Sequence, residues 1–397
     1  MKNNLILAVL FSCFFFPLIL IAQTSNSKNV SNEKELLAQK LVNQCANIKE
    51  GDLVLITGGV KDTELLEDLA INVRRIGAFP LISLGSDRLT YRYYNDVPLQ
   101  FASKTNELDY KIFDLITALI AVNYNEDTDL LSGFSAEKIA TLNKANEPVN
   151  QLLFSKNIKF VELGNGLNES AKRAKMFGIK QSELAKLFWD GINVDYNKLK
   201  EKCELVKSIL SGSNELHITN PNGTDLKFKI NNRPIFFSDG VISDADIKIG
   251  MPACQVYLPA GEVYLTPVPG TAEGKIVVDH FIYLGKEIKG LTLIIHDGQL
   301  TSMLAQTGLE PLKNLYDSYG PEKNNFAYID IGTNPNVKIP KGSKMGTYMS
   351  AGMVTVGVGN DAWAGGNNNI SFALPCFLPG STLYADGKLI VENGVLK

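Results

Sequence analysis

The sequence predicts an α/β domain with a parallel sheet, followed by a β-rich (α+β) domain. In the first half, short apolar runs alternate with amphipathic helical stretches, which is typical of a parallel sheet covered by helices. After residue 212 the chain becomes rich in β-branched residues, glycine, proline and asparagine, and turns such as Asp297-Gly298 indicate antiparallel strands. We therefore expect the α/β domain over residues 32–212 and the β-rich domain over residues 213–397.

The first domain begins with a strand–helix–strand unit. An apolar run that starts at Leu53 and ends in two glycines predicts a buried strand. A helix is expected over Thr63–Ile76, where acids come early and Arg74 and Arg75 come late, as the helix dipole favours. A second strand is expected over Phe79–Leu84. Two strands joined by a helix in this way run parallel in one sheet.

The remaining elements follow from the periodicity of apolar residues, which differs between helices and strands. In the first domain we expect strands at Leu115–Val122 and Ile158–Leu163, and helices at Glu35–Ala46, Ala136–Leu142, Gln181–Trp189 and Tyr196–Leu210. In the second domain we expect strands within Lys275–Gly285 and Leu291–Leu300, and one helix at Ser302–Leu315.

The N-terminal residues predict export. Lys2 precedes an apolar run over Leu5–Ile21, and the small residue Ala22 follows, which is the order of a secretory signal peptide covering residues 1–22. The protein is then periplasmic or secreted. An uncleaved membrane anchor is the alternative, because the apolar run approaches the length of a membrane span. Lipidation at Cys13 is a weaker alternative, since more apolar sequence follows that cysteine.

Charge and cysteine usage exclude several classes of protein. The formal net charge is −3 with both signs interspersed, so nucleic acid is not an expected partner. The cysteines beyond the leader are far apart in sequence and never form a CxxC pair. They are Cys45, Cys203, Cys254 and Cys376. We expect buried free thiols rather than a zinc site, with disulfides as the alternative in an oxidising compartment.

Several short motifs occur in an order that resembles the thermophilic aminopeptidase family. They are KEGDLVLITGG, RRIGAFPLISL, Asn222-Gly223-Thr224-Asp225-Leu226, Leu258-Pro259-Ala260-Gly261-Glu262-Val263-Tyr264, Ile331-Gly332-Thr333-Asn334-Pro335 and Asp386-Gly387. The family comprises the aminopeptidase T and aminopeptidase S types. The resemblance implies a two-domain metallopeptidase, a hydrolase that forms homodimers and releases N-terminal amino acids from peptides.

Carried over residue by residue, the resemblance retains one metal ligand. The family's first ligand, a glutamate, matches Glu262. Its second glutamate falls on Tyr328, and its first histidine falls on Thr355. The closing His-x-Asp pair falls on Phe372 and Leu374. The resemblance therefore implies a degenerate metal site, because four of the five positions carry neutral or apolar side chains.

The chemistry of these side chains argues against metal-dependent hydrolysis. A two-metal hydrolase polarises the scissile carbonyl and generates hydroxide, which requires several imidazoles and carboxylates on the ions. The whole chain has three histidines, and none follows His296. Ring-cleaving iron dioxygenases of the same fold also need the terminal His-x-Asp pair. We therefore expect an aminopeptidase-like protein with little or no peptidase activity and no resident cofactor.

An active enzyme is the alternative. Asp330 lies two residues after Tyr328, hence on the same strand face, and Asp361 follows in the next segment. Together with Glu262, these residues form an oxygen-rich set suited to Mn²⁺, Mg²⁺ or Ca²⁺. A relocated carboxylate site of this kind would make the protein a metal-dependent aminopeptidase, with Zn²⁺, Co²⁺ or Mn²⁺ as the catalytic ion. In either case the expected partner is a small peptide or small molecule in the cleft.

Overall fold

The computed structural model describes residues 26–397, with side chains from residue 33 onward. The predicted signal peptide, residues 1–22, lies outside the described residues. Within the part of the chain that is described, no helix is both long and apolar enough to cross a membrane.

The first domain is built on a five-stranded, all-parallel sheet. Its strands are β1 (Leu53–Gly59), β2 (Phe79–Gly85), β3 (Ala118–Val122), β4 (Lys159–Leu163) and β8 (Gln255–Leu258), in the order β2-β1-β3-β4-β8. The prediction of a parallel α/β sheet is confirmed.

Nine helices occur in the described part of the first domain. They are α1 (Asn26–Gln39), α2 (Thr63–Arg75), α3 (Asp87–Asp96), α4 (Leu99–Ala102), α5 (Glu107–Leu115), α6 (Ala136–Ser155), α7 (Ala171–Phe177), α8 (Gln181–Ile192) and α9 (Tyr196–Ser211). One π-helical turn, Lys40–Cys45, continues α1. Helix α2 illustrates why the sequence folds in this way. It buries Leu65, Leu66, Leu69 and Val73 at helical spacing, and Gly77 adopts a positive φ of 88° just after it.

The second domain contains two antiparallel sheets. The larger has eight strands in the order β12-β11-β10-β6-β5-β16-β17-β18. These strands are β5 (Glu215–Thr219), β6 (Asp225–Lys229), β10 (Glu273–Tyr283), β11 (Lys286–His296), β12 (Gln299–Leu304), β16 (Thr382–Ala385), β17 (Lys388–Glu392) and β18 (Val395–Leu396). The helices of this half are α10 (Asp244–Ile249) and α11 (Glu310–Asp317).

The smaller antiparallel sheet carries the residues singled out from the sequence. Its strands are β7 (Ile235–Ser238), β9 (Glu262–Leu265), β13 (Phe326–Gly332), β14 (Val354–Gly359) and β15 (Ala373–Leu378), in the order β15-β14-β13-β9-β7. One face of this sheet packs on the larger sheet through an aliphatic core that includes Val263, Ile331 and Val356.

The prediction missed helices α3, α4, α5 and α7 and ended α6 too early, and two further differences concern the second half of the chain. Strand β8 joins the parallel sheet, so the first domain takes a strand from beyond residue 212. A short apolar strand looks the same in sequence whether it enters a parallel or an antiparallel sheet. The helix expected over Ser302–Leu315 begins only at Glu310, because Leu300 and Met303 point inward as part of β12, which pairs with β11.

The connection from β8 to β9 places Glu262 at the junction of the two domains. Strand β8 ends at Leu258 in the parallel sheet, and β9 begins four residues later in the small antiparallel sheet. Gly261 makes this turn with a φ of 123°, and a Cβ there would lie 2.7 Å from the Cβ of Asn334. A side chain at this position would therefore push apart the strands that position Glu262.

Candidate functional site

An acidic pair lies on the face of the small sheet that is turned away from the aliphatic core. Asp330 pairs with Tyr264 on β9 and with Thr355 on β14, while Glu262 pairs with Gly332. Side chains two residues apart on a strand share a face, so Glu262 and Asp330 are diagonal neighbours on adjacent strands. Thr355 lies beside Asp330 on the same face. We refer to Glu262 and Asp330 as the acid pair.

Glu262 is held by a side chain of the first domain. Its carboxyl oxygen accepts a hydrogen bond of 2.5 Å from Nδ2 of Asn165, which also donates to the carbonyl of Pro259. Only 2% of Glu262 is exposed. The pKa of Glu262 is raised to about 8, mainly by burial and in smaller part by the nearby charge of Glu162 on β4, against the opposing effect of the hydrogen bond from Asn165. Near neutral pH this carboxyl therefore holds its proton.

The carboxyl group of Asp330 has no hydrogen-bond partner among the described residues. It is fully buried, and neither carboxyl oxygen is bonded. Burial raises the pKa of Asp330 well above its usual range, and the charge of Glu262 adds to this effect. The hydroxyl of Thr355, also fully buried, likewise lacks a partner in the described structure. Such groups cost free energy, because they lose their hydrogen bonds to water without replacing them.

An aromatic cluster closes over the acid pair. Tyr264 and Tyr328 share its face of the sheet, and the Trp363 ring lies 4.9 Å and 4.7 Å from their ring centroids. The Tyr264 hydroxyl donates to the carbonyl of Pro252. Tyr328, onto which the family resemblance carries the second glutamate, thus packs beside the acid pair. The cluster excludes water from the carboxyl groups.

Asp361 lies away from the acid pair. Its carboxyl oxygen accepts a 2.7 Å hydrogen bond from the backbone N–H of Asn368, and burial raises its pKa. It lines a different cavity of about 320 Å³ together with Arg233. The structure therefore brings Glu262 and Asp330 together but leaves Asp361 out of the set.

Phe372 and Leu374 also lie elsewhere, and their assignment to the site needs correction. Leu374 pairs with Val358 and packs in the aliphatic core on the opposite face of the sheet. Phe372 packs against Tyr316, with ring centroids 5.6 Å apart. Side chains alternate along a strand, so a shift of one residue moves them to the other face. The β15 residue beside Thr355 on the face of the acid pair is Phe377.

The residues present do not fit the family's two-metal centre. Among the described side chains, the one group of three potential ligands within 4.8 Å of one another is Glu273, His296 and Asp297, all exposed and located at the strand turns of the larger sheet. No such group includes Glu262. Around the acid pair, one carboxyl is engaged by Asn165, and its neighbours include a hydroxyl, aromatic rings and, on β4, the carboxyl group of Glu162. Glu162 does not join Glu262 in a group of three converging ligands, and the set lacks the imidazoles that hold Zn²⁺ or Co²⁺ beside carboxylates.

A cleft of about 310 Å³ lies next to the acid pair, between the two domains. The first domain contributes Asn165, Arg173 and Phe177, and the second contributes Phe281, Tyr348 and Phe377, among others. Asn165 therefore lines the cleft on one side and binds Glu262 on the other. Sequence reasoning missed Asn165. The signal was its place between two glycines just after β4, since the carboxyl ends of parallel strands are where such sheets bind ligands.

The two-domain fold, with a parallel α/β domain and an acid-bearing antiparallel sheet, is that of a metallopeptidase family. The chain belongs to the thermophilic metalloprotease (M29) family, whose model matches residues 31–319. Aminopeptidase PepS of Streptococcus thermophilus is 24% identical over 311 residues, which cover 72% of this chain and 73% of PepS. The predicted family membership is confirmed. The matched range includes Glu262 and ends before Asp330.

Solved structures share the fold. AmpT from Thermus thermophilus superposes with a TM-score of 0.70 and 17% identity, covering 92% of this chain and 99% of AmpT. A 2,5-dihydroxypyridine dioxygenase from Pseudomonas putida KT2440 superposes with a TM-score of 0.59 and 14% identity, covering 92% of this chain and 97% of the dioxygenase. At these identities the likeness concerns the fold alone.

Proposed function

We propose that this protein is a member of the M29 aminopeptidase family that has given up metal-dependent hydrolysis and keeps the interdomain cleft as a binding site. The observation that carries the proposal is the composition of the acid pair. Two buried carboxyl groups, one bonded to Asn165 and both with raised pKa values, lie where the family resemblance implies a set of five metal ligands.

Protonation works against metal binding at these carboxyls. A carboxyl group must lose its proton before it coordinates a cation, and the buried acid pair resists that loss at neutral pH. The aromatic cluster leaves Asp330 with no exposed surface, so neither an ion nor a hydrolytic water has open access to it. Among the described residues, the surroundings of the acid pair therefore offer too few donors and too little solvent access for metal-dependent amide hydrolysis.

The cleft itself supports a binding role. Its volume of about 310 Å³ is in the range of small-ligand sites, and apolar side chains make up most of its walls. The expected ligand is a small peptide or small molecule. Export, which the leader predicts, and a homodimer, which the family resemblance implies, complete the proposal. Light scattering on the purified protein measures whether it forms a homodimer.

Metal content and turnover test the proposal together. Protein purified without chelator is analysed by mass spectrometry for bound metal, and is then assayed for p-nitroaniline release from amino-acid anilides with added Mn²⁺, Co²⁺ or Zn²⁺. Aminopeptidase PepS serves as the positive control. We expect substoichiometric metal at the acid pair and no turnover above the blank.

The orphaned oxygens of Asp330 favour one competing function, an active aminopeptidase with a relocated carboxylate site. Stoichiometric metal and turnover, both abolished by Glu262→Gln, would establish it and overturn our proposal. Glu273→Gln is the matched control, because Glu273 belongs to the exposed triad of potential ligands. Metal that is lost only in Glu273→Gln resides on that triad and leaves the proposal intact.

A further inference from the structure

We infer that the interdomain cleft binds a small apolar molecule bearing a carboxylate, and that Arg173 receives the carboxylate. The inference names the ligand class for the cleft and rests on the binding role proposed above. It depends on three features of the cleft. Arg173 has no ion-pair partner among the described residues, the neighbouring basic side chains already lie against a carboxylate, and both domains contribute apolar walls.

Arg173 has hydrogen bonds but no ion-pair partner among the described residues. Its two terminal guanidinium nitrogens donate to the backbone carbonyls of Gly166 and Asn125, each at 3.2 Å. No carboxylate lies within 4.0 Å of the guanidinium among the described side chains. Burial lowers the pKa of Arg173, and Asp87, which lies nearby without forming an ion pair, raises it. Arginine stays charged under such conditions, so the cleft wall carries a half-buried cation without an ion-pair partner among the described residues.

The other basic groups of the cleft share one acid. Lys344 Nζ lies 2.9 Å from a carboxylate oxygen of Glu287, and the Nδ1 atom of His280 lies 2.6 Å from the other oxygen. Asp279 also lines the cleft and is exposed. Glu287 thus pairs with Lys344 and His280, Asp279 is exposed, and Asp87 lies beyond ion-pair distance of Arg173. Arg173 can therefore attract an anion from outside the protein.

The walls around Arg173 are apolar. Met176 and Phe177 come from α7, the helix that carries Arg173, and Phe281, Met345 and Phe377 come from the second domain. Burial of an apolar ligand body against these side chains would supply binding free energy, while a charge-assisted hydrogen bond to Arg173 would orient it. A free carboxylate on a short peptide and a carboxylate on another apolar molecule offer the same chemistry.

Calorimetry with matched ligands tests the inference. The probes are 3-phenylpropionate against 3-phenylpropionamide, and Ala-Phe against its C-terminal amide, so that each pair differs in the carboxylate alone. We expect each carboxylate to bind about tenfold or more tightly than its amide, as loss of one charge-assisted hydrogen bond predicts. Preference for Ala-Phe identifies a peptide terminus as the source, and preference for phenylpropionate identifies a non-peptide acid.

Substitutions test whether Arg173 is the residue that binds the carboxylate of the ligand. Arg173→Gln should bring each carboxylate down to the affinity of its amide, and Arg173→Lys should retain part of the preference. Lys175→Gln is the matched control, because Lys175 is exposed on the same helix and does not line the cleft. Circular dichroism and thermal unfolding of all variants check that Arg173→Gln is folded.

Three results would overturn the inference: equal affinity for acid and amide, no binding of any probe, or a carboxylate preference that survives in folded Arg173→Gln. These results differ from those that defeat the proposed function. Stoichiometric metal with turnover would defeat the loss of catalysis while leaving a carboxylate preference at Arg173 intact. An empty, inactive protein without that preference would defeat the inference and leave the loss of catalysis standing.

Discussion

The two faces of the small antiparallel sheet are made by the same strands and differ in almost every physical property. On one face, Ile329 and Ile331 pack into an aliphatic core with complete burial. On the other face, Asp330 and Thr355 are buried just as completely but have no hydrogen-bond partners among the described residues. Burial stabilises the first face and costs free energy on the second.

The comparison places the unfavourable burial of this sheet on the face of the acid pair. Natural proteins rarely retain buried polar groups without partners, since each costs about 1–3 kcal/mol. The acid pair stands where the M29 family resemblance places a metal centre. In the function proposed above, Tyr328 and Trp363 fill the space of that centre, and the Asp330 carboxyl group is left without a hydrogen-bond partner among the described residues.

The largest effect is expected on the aliphatic face. Ile331→Ala should lower the free energy of unfolding by about 3–4 kcal/mol, because it removes buried methyl groups and leaves a cavity. Urea unfolding followed by tryptophan fluorescence measures this change. The control is Ile71→Ala in α2, where the side chain is 52% exposed, and it should change stability by less than about 0.5 kcal/mol. Equal losses in the two variants would contradict the role of the sheet as a core element.

On the acid-pair face, removal of a charge should stabilise the protein in a pH-dependent way. Burial raises the pKa of Glu262 from 4.5 to about 8, so its contribution is fully present below pH 4.5. Stability then falls as the pH rises, because the unfolded state releases this proton first, and the fall ends once the pH passes about 8. Glu262→Gln keeps an acceptor for Asn165 and should be about 3 kcal/mol more stable than the parent at pH 9.

The same variant should match the parent near pH 4, where both side chains are neutral. Unfolding is followed in urea at several pH values, with Glu201→Gln on the exposed surface of α9 as the control. Destabilisation of Glu262→Gln at pH 9 would contradict the picture, and would indicate that an ion binds the carboxylate.

The smallest effect concerns a hydroxyl group. Thr355→Val keeps the shape of the side chain and removes the unpartnered hydroxyl, so it should raise the free energy of unfolding by about 1 kcal/mol. The matched control is Thr301→Val, since the Thr301 hydroxyl donates to the carbonyl of Ile294 at 3.2 Å. That variant should lose stability slightly. A loss in both variants would mean that the Thr355 hydroxyl is bonded in solution.

Local signals in the sequence predicted much of the fold. The strand–helix–strand periodicity gave the parallel sheet, and the motif order gave the family. Spacing of two residues also placed Tyr328 and Asp330 on one strand face. The resemblance, by contrast, carried the closing ligand pair onto Phe372 and Leu374, which do not lie on the face of the acid pair, because an offset of a single residue reverses the face and nothing local to the sequence reports the register.

The amino-acid sequence by itself determined most secondary-structure elements, the family and the absence of histidines after His296, because each of these depends on residue identity and short-range periodicity. Only the tertiary structure decided which polar groups meet. Asn165 and Glu262 are 97 residues apart in sequence, and Arg173 of the first domain lines a cleft whose other wall belongs to the second domain. Hydrogen bonds and burial depend on which side chains pack together in the folded protein. The lack of a hydrogen-bond partner at Asp330 and of an ion-pair partner at Arg173, among the described residues, is therefore visible only in the tertiary structure.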